Sequence, residues 1–244
     1  MKISMLQTAI GCVVFLGLCA AGNANGAETS TPAARAEGRF QEAQRRYYEQ
    51  PTSLQAAVKA AQTAFDWAEF ASRDAQRADI AQFGIAAGKN AVAASPTNAA
   101  AHYWLGMNYA QLARTKSLGA LRLVRDMETE LLRAVELDGS VDFAGPHRIL
   151  GLLYRDAPGW PTSVGSKKKA RQHLERSVQI APEFPENHLS LLETYEEWGE
   201  KENLARHLPA TQTSLDKARQ TFTGEEWEEE WSDWEKRMKK FPRR

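Results

Sequence analysis

The sequence predicts an all-α chain: a solenoid of stacked helical hairpins with an amphipathic helix at its carboxyl end. Three observations carry this. No segment alternates polar and apolar residues like a half-buried strand, and helix-period patterns run almost end to end. Prolines fall where helices should stop or start: Pro51, Pro96 and Pro182 just past helix ends, Pro146 and Pro185 in first turns. The chain also repeats itself. His102 opens HYWLGMNYA, His147 opens HRILGLLYR and His188 opens HLSLLETYE, each with Leu three residues on and Tyr seven on, at starts 45 and 41 residues apart. Helical hairpins recurring at such a period stack on one another.

Taken in order, the first 27 residues read as a secretory leader. Met1-Lys2 give a short positive start, Ala9 to Ala21 is an apolar run of thirteen residues, and small residues follow to Ala27. That run is too short to span a bilayer comfortably. Leu16-Gly17-Leu18-Cys19 has the outline of a lipid-attachment signal, with bulky Leu18 where a small residue is wanted. Residues 28–222 form the expected repeat domain. Ala33–Gln50 and Ser53–Ala71 are helices, and Asp74–Ala94 closes in KNAVAASPTN, an early copy of the second half of the repeat. Asn98–Arg114 with Leu118–Leu137, and Pro146–Asp156 with Ser166–Ile180, are hairpins. Pro185–Gly199 begins the last, whose return is expected to be split by Pro209 into Lys201–His207 and Ala210–Phe222. Within the repeat, Leu105-Gly106 and Leu150-Gly151 pair a core anchor with a residue lacking Cβ, so a neighbouring helix can come close. Tyr109 and Tyr154 follow one turn on, bulky and with a hydroxyl to satisfy.

Residues 223–244 form the tail. Trp227, Trp231, Trp234, Met238 and Phe241 step by four, three, four and three, which places them on one helical stripe. Thr223 with Glu226 has the pattern of a capping box. Seven acids between Glu225 and Glu235 precede six bases between Lys236 and Arg244, a polarity that suits the helix dipole. Each buried Trp removes about 150–250 Å² from water, worth roughly 4–6 kcal/mol at most. The stripe is therefore expected to dock on its own chain as a solenoid cap, with self-association or a partner's surface as the alternative.

Composition excludes several classes. Net charge is zero, so no pull on nucleic acid or an anionic membrane is implied. Both cysteines, Cys12 and Cys19, lie in the leader, which leaves no disulfide, thiolate metal site or cysteine nucleophile beyond it. No later stretch is apolar enough to cross a membrane. The five histidines form no close ligand pair, and three occupy equivalent repeat positions, which points to polar contacts near helix ends. GWPTSVGSKKKA fails as a phosphate loop: five residues separate its glycines and no Lys follows the second directly. Gly165-Ser166 reads as a turn and an N-cap. No paired acid and base and no nucleophile elbow is present. No catalysis, cofactor or metal is expected.

The pattern L-G-x2-Y, then a small residue in a second helix (Ala134), then Pro, resembles the tetratricopeptide repeat, though its periods exceed that family's 34. HYWLGMNYA, METELLRAVELD, GPHRILGLLYRDAPGW and GSKKKARQHLERSVQIAPEF, spread over about Ala78 to His207, are similar to the periplasmic T component of TRAP transporters. That resemblance implies an all-helical protein that binds a small ligand or a solute-binding subunit. The tetratricopeptide pattern implies that one face of each first helix lines a concave groove. Carried over, these faces are Tyr103, Met107, Ala110 and Gln111; Arg148, Leu152, Arg155 and Asp156; Leu189, Glu193, Glu196 and Glu197. Arg148 and Arg155 could pair with Glu193 and Glu197, or receive a partner's carboxylate. Trp160, between Gly159 and Pro161, could act as a lid over the groove or a plug into the core. The chain thus reads as an exported, non-enzymatic binding module with a protein partner or small ligand. A self-associating envelope scaffold is the alternative, and a homo-oligomer stays open.

Overall fold

The computed structural model describes residues 31–116 and 119–241. The leader, with Cys12 and Cys19, and the helix start at Leu118 lie outside the described residues. Among these residues the elements are α1 (Pro32–Glu49), α2 (Leu54–Glu69), α3 (Asp74–Ala94), α4 (Ala99–Arg114), α5 (Ala120–Asp138), α6 (Val141–Asp156), α7 (Lys167–Ile180), α8 (Pro185–Glu197), α9 (Lys201–Thr221), a 3-10 turn (Glu225–Trp227) and α10 (Glu228–Met238). They contain no strand, only one isolated bridge between Gly159 and Gly165. No helix among them is long and apolar enough to cross a membrane.

Local chemistry sets many of the starts. Ser53, Asn98 and Ser166 accept from backbone N–H groups three residues on, at 3.2, 2.8 and 3.3 Å. Pro32 and Pro185 occupy first turns, where a missing N–H costs nothing. Successive helices pack as hairpins, and the first helices of neighbouring hairpins also touch: α2 on α4, α4 on α6, α6 on α8. This stacking is the predicted solenoid. The Leu-Gly pairs work as expected. A Cβ on Gly106 would stand 3.1 Å from Leu131 Cγ, and one on Gly151 only 2.5 Å from Leu174 Cγ. A methyl group at Gly151 would clash with α7, and one at Gly106 would need Leu131 on α5 to give way by a few tenths of an ångström.

The repeated histidines act near helix starts. His102 and His188 each donate from Nε2 to the carbonyl of the proline six residues earlier, Pro96 at 3.1 Å and Pro182 at 2.9 Å. His147 has Val141 at that position and differs. Its Nδ1 lies 3.1 Å from His173 Nδ1 on α7. The chain before it makes a left-handed turn, with φ/ψ of 51/51° at Asp142, 52/50° at Phe143 and 63/30° at Ala144. Regular helix in α6 therefore begins near Pro146. Each left-handed non-glycine residue costs about 1–2 kcal/mol. Side chains hold the turn: Phe143 stacks on Phe184 at 4.6 Å, and its carbonyl accepts from Arg148 (3.2 Å) and Asn187 (2.9 Å).

Two boundaries differ from expectation. Pro209 does not split the return helix, for α9 runs through it. The carbonyl it leaves without a helical partner belongs to Ala205, and both residues are exposed, so water can satisfy it. The Thr223–Glu226 capping box does not form. Gly224 takes φ 100°, and a 3-10 turn leads into α10 with no side-chain cap.

Candidate functional site

The first helices of the hairpins form the wall of a trough. Phe65 and Asp66 come from α2, Tyr103, Trp104 and Met107 from α4, Arg148, Ile149 and Leu152 from α6, and Phe184 and Glu186 from the start of α8. The left-handed turn adds Asp142 and Phe143, and α1 adds Arg35 and Arg39 on the far side. The tail crosses this trough and lends it Trp227, Glu229, Glu230, Asp233 and Trp234. Between wall and tail is a cavity of about 480 Å³.

The tail is held by apolar packing and by charge. Trp234 is 1% exposed and meets Phe184 edge-on at 5.6 Å, while Trp227 lies 4.6 Å from Phe222. Trp231 packs beside them and donates its indole N–H to the Phe222 carbonyl at 2.7 Å. Phe241 is buried and Met238 partly so. The stripe thus docks on its own chain. It covers the end of the last hairpin and also lies along α8 on the trough side. Buried Arg237 forks onto Glu193 at 3.0 and 2.9 Å, reaches Glu186 at 2.6 Å and meets Asp233 at 3.0 Å. Trp234 donates to the same Glu186 at 3.1 Å. At the other end, Arg35 of α1 stands 4.0 Å from Glu225 and 3.7 Å from Glu228, so the two ends of the described chain meet across the trough.

The site's electrostatics follow from this enclosure. Burial pushes the Asp66 carboxyl up to about 7; the positive charges of Arg39 and Lys59 oppose the shift, and Asp142 and Glu230 reinforce it. Burial likewise raises Glu229, Glu230 and Asp233. Glu186 is different. Burial works to raise it, but the charge and hydrogen bond of Arg237, with Arg148 and Ser190, hold it below its usual value. Burial and the neighbouring Asp142 carboxylate raise Tyr103, whose hydroxyl donates to Asp142 at 2.6 Å.

Of the thirteen residues named for the groove, twelve helix positions and Trp160, four line the cavity: Tyr103, Met107, Arg148 and Leu152. Arg148 is already engaged, with Asp142 at 3.2 Å and Asn187 at 2.9 Å, and its guanidinium lies over Phe184. The anticipated Arg148–Glu193 pair does not form, because Arg237 takes Glu193. The Arg155–Glu197 pair does, at 3.4 Å, with Asp156 closer at 2.6 Å. Arg155, Glu193 and Glu197 are outside the cavity wall. So is Gln111, buried in a polar knot with Glu69, Arg77 and Arg114. Trp160 is 89% exposed on its loop, neither plugging the core nor contributing to the cavity. Sequence reasoning missed the α1 arginines, Asp66, Phe143 and the tail's acids as trough residues. His147, Arg148 and Glu193, whose convergence would suggest chemistry, face different partners. No group of three or more His, Cys, Asp and Glu able to hold a metal occurs among the described residues.

No family model matches the chain, and no curated protein matches it in sequence. Among solved structures it is similar to the crystal structure of MamA, at 19% identity and a TM-score of 0.52, over 75% of this chain and 90% of that one. At that identity the likeness speaks for the fold alone, and together with the hairpin stacking it makes the protein an all-α, tetratricopeptide-like helical-repeat solenoid.

Proposed function

We propose that the protein is an exported, non-catalytic binding module that takes its ligand, or part of a protein partner, in the trough beneath its own tail. The observation that carries this is the cavity of about 480 Å³ between the first helices and α10, a size within the roughly 300–1,000 Å³ usual for ligand sites. The finer reading is an accessory T-type component of a TRAP transporter, with the solute-binding subunit as partner. Its support is the resemblance of Ala78 to His207, while the leader pattern of residues 1–27 supports export.

Isothermal titration with a TRAP solute-binding subunit tests this, using the wild type and a Leu152→Trp variant that fills the cavity. The expected result is saturable binding that the larger side chain weakens. Binding undiminished in the variant would remove the trough, and none in the wild type would remove the TRAP assignment.

A self-associating scaffold is the second reading. The tail stripe no longer motivates it, since that stripe is used internally; the exposed Trp160 does. If Trp160→Ser leaves the sedimentation coefficient unchanged across concentrations, this reading has no remaining support.

A further inference from the structure

The charges of the cavity are unevenly matched. Arg148 is spent on Asp142 and Asn187, and Arg35 faces Glu225 and Glu228. Glu186 and Asp233 are answered by Arg237. Asp66 on α2, with Glu229 and Glu230 on α10, forms no ion pair within 4.0 Å among the described residues, although all three belong to the cavity wall. The bases that feel Asp66 are Arg39 on α1 and Lys59 on its own helix, while Asp142 on α6 and Glu230 on α10 add negative charge. Lys59 is exposed and hydrogen-bonded to Gln62. Arg39 also acts on Glu229 and Glu230, and Arg35 on Glu229, but the wall sets nine carboxyls against four bases, so the enclosure holds more negative charge than it neutralises.

The rest of the wall is aromatic. Phe65, Trp104, Phe143, Phe184, Trp227 and Trp234 surround the same space. Aromatic faces attract cations, and more strongly away from water. The protein already uses this contact once at the site, with Arg148 over Phe184 at 5.1 Å. An anion would meet three under-compensated carboxyls. A bare metal ion would find no clustered ligand set among the described residues. A neutral apolar molecule would leave the charge unmet.

We infer that the cavity receives a small organic cation, an amine or guanidinium head carried on an apolar body. This rests on the reading of the trough as the binding site. The head lies between Asp66 and Glu230 and the body against the rings. The same chemistry could arrive as a free molecule or as a basic side chain of a partner.

The test uses the full mature chain and calorimetric titration with five compounds: phenethylamine, benzyltrimethylammonium, N-acetyl-arginine amide, 2-phenylethanol and phenylacetate. The cations should bind at least about tenfold more tightly than the neutral and anionic analogues, about the worth of one charge-assisted contact. Asp66→Asn and, separately, Glu230→Gln should each weaken cation binding about tenfold and leave 2-phenylethanol unchanged. Affinity for the cations should fall as pH drops below about 7, where Asp66 takes up its proton. Preference for N-acetyl-arginine amide assigns the head to a partner's side chain, and preference for the amines assigns it to a free molecule. Equal binding of phenylacetate or 2-phenylethanol overturns the charge assignment and leaves the trough standing. If none of the five binds, the cation assignment falls, and the Leu152→Trp titration separately decides the trough.

Discussion

Replacing Arg237 with Met should loosen the tail by removing its charged anchor to α8. The side chain is 6% exposed, and it satisfies carboxylates on two elements: Glu186 and Glu193 on α8, Asp233 on α10. Met keeps the apolar stem and removes the charge, so three acids are left facing one another in a partly closed space. Removing one member of a buried ion pair costs about 3–5 kcal/mol; the carboxylates here keep 18–23% side-chain exposure, and relief by water brings the expectation to about 2–4 kcal/mol. Hydrogen exchange of amides 228–238 reads the local loss, and urea unfolding followed by tryptophan fluorescence reads the global one. The pH dependence has a definite sign. Glu186 is held below its usual 4.5, so its contribution is complete above that pH and is lost as pH falls through the lowered folded value. Asp233, raised by burial in spite of Arg237, works in the opposite sense and softens the decline. In Arg237→Met the Glu186 contribution should vanish. Adding Glu186→Gln and Glu193→Gln should then restore much of the stability, because only Asp233 is left without its partner and burial already favours its protonated form. Unchanged exchange in α10, with stability within about 0.5 kcal/mol of wild type, would show that the aromatic packing alone holds the tail.

Three further outcomes follow from the same structure. Gly151→Ala would place a Cβ 2.5 Å from Leu174 Cγ and 3.1 Å from its backbone nitrogen; the overpacking should cost about 1–3 kcal/mol in urea midpoint measurements, and a neutral result would mean that α6 and α7 are free to part. Asp66, raised from 3.8 to about 7, favours the folded state only while protonated, so its contribution is lost as pH rises from 3.8 to 7; Asp66→Asn should remove that slope and stabilise the protein at pH 8 by on the order of 1–3 kcal/mol. Burial and a neighbouring histidine lower both His147 and His207 from 6.5 to about 4, so stability should decline as pH falls from 6.5 to 4, and replacing both with Asn should flatten that limb of the unfolding profile.

The repeat was legible because its signals are local. Capping serines, first-turn prolines and the Leu-Gly pairs each act within a helix or between neighbours, and they sit where the structure uses them. The amphipathic tail was legible for the same reason, since a stripe at helical spacing depends on its own segment. What periodicity does not specify is which face meets which across long stretches of chain. Arg35 meets Glu225 across 190 positions, and Arg237 meets Glu193 across 44. Glu193 could therefore be placed on the trough side from its spacing, while its partner could not be chosen between Arg148 and a residue of the tail. The left-handed turn at Asp142–Ala144 had no signal at all. Phe143 and Ala144 are poor left-handed formers, only Asp142 being of a type that visits this region, and the turn's stability comes from Phe184, Asn187 and Tyr103.

The position of the tail bears on what can bind. An extended or helical peptide lying along α8 must displace Trp234 from its aromatic nest and strip Arg237 from two carboxylates. Burial of that one indole is worth roughly 4–6 kcal/mol at most, and the tail, tethered to α9 by a few residues, competes at an effective concentration in the millimolar range. A peptide of ordinary affinity for the bare groove would surrender several orders of magnitude to this competitor. A molecule that fits beneath the tail gives up none of it. Such a ligand adds contacts to Trp227 and Glu230 from above while the wall supplies Phe65 and Asp66 from below. It should therefore bind with α10 in place and slow hydrogen exchange there, whereas a groove-binding peptide should speed it. Exchange in α10 thus separates the two modes of recognition with the same protein and the same readout.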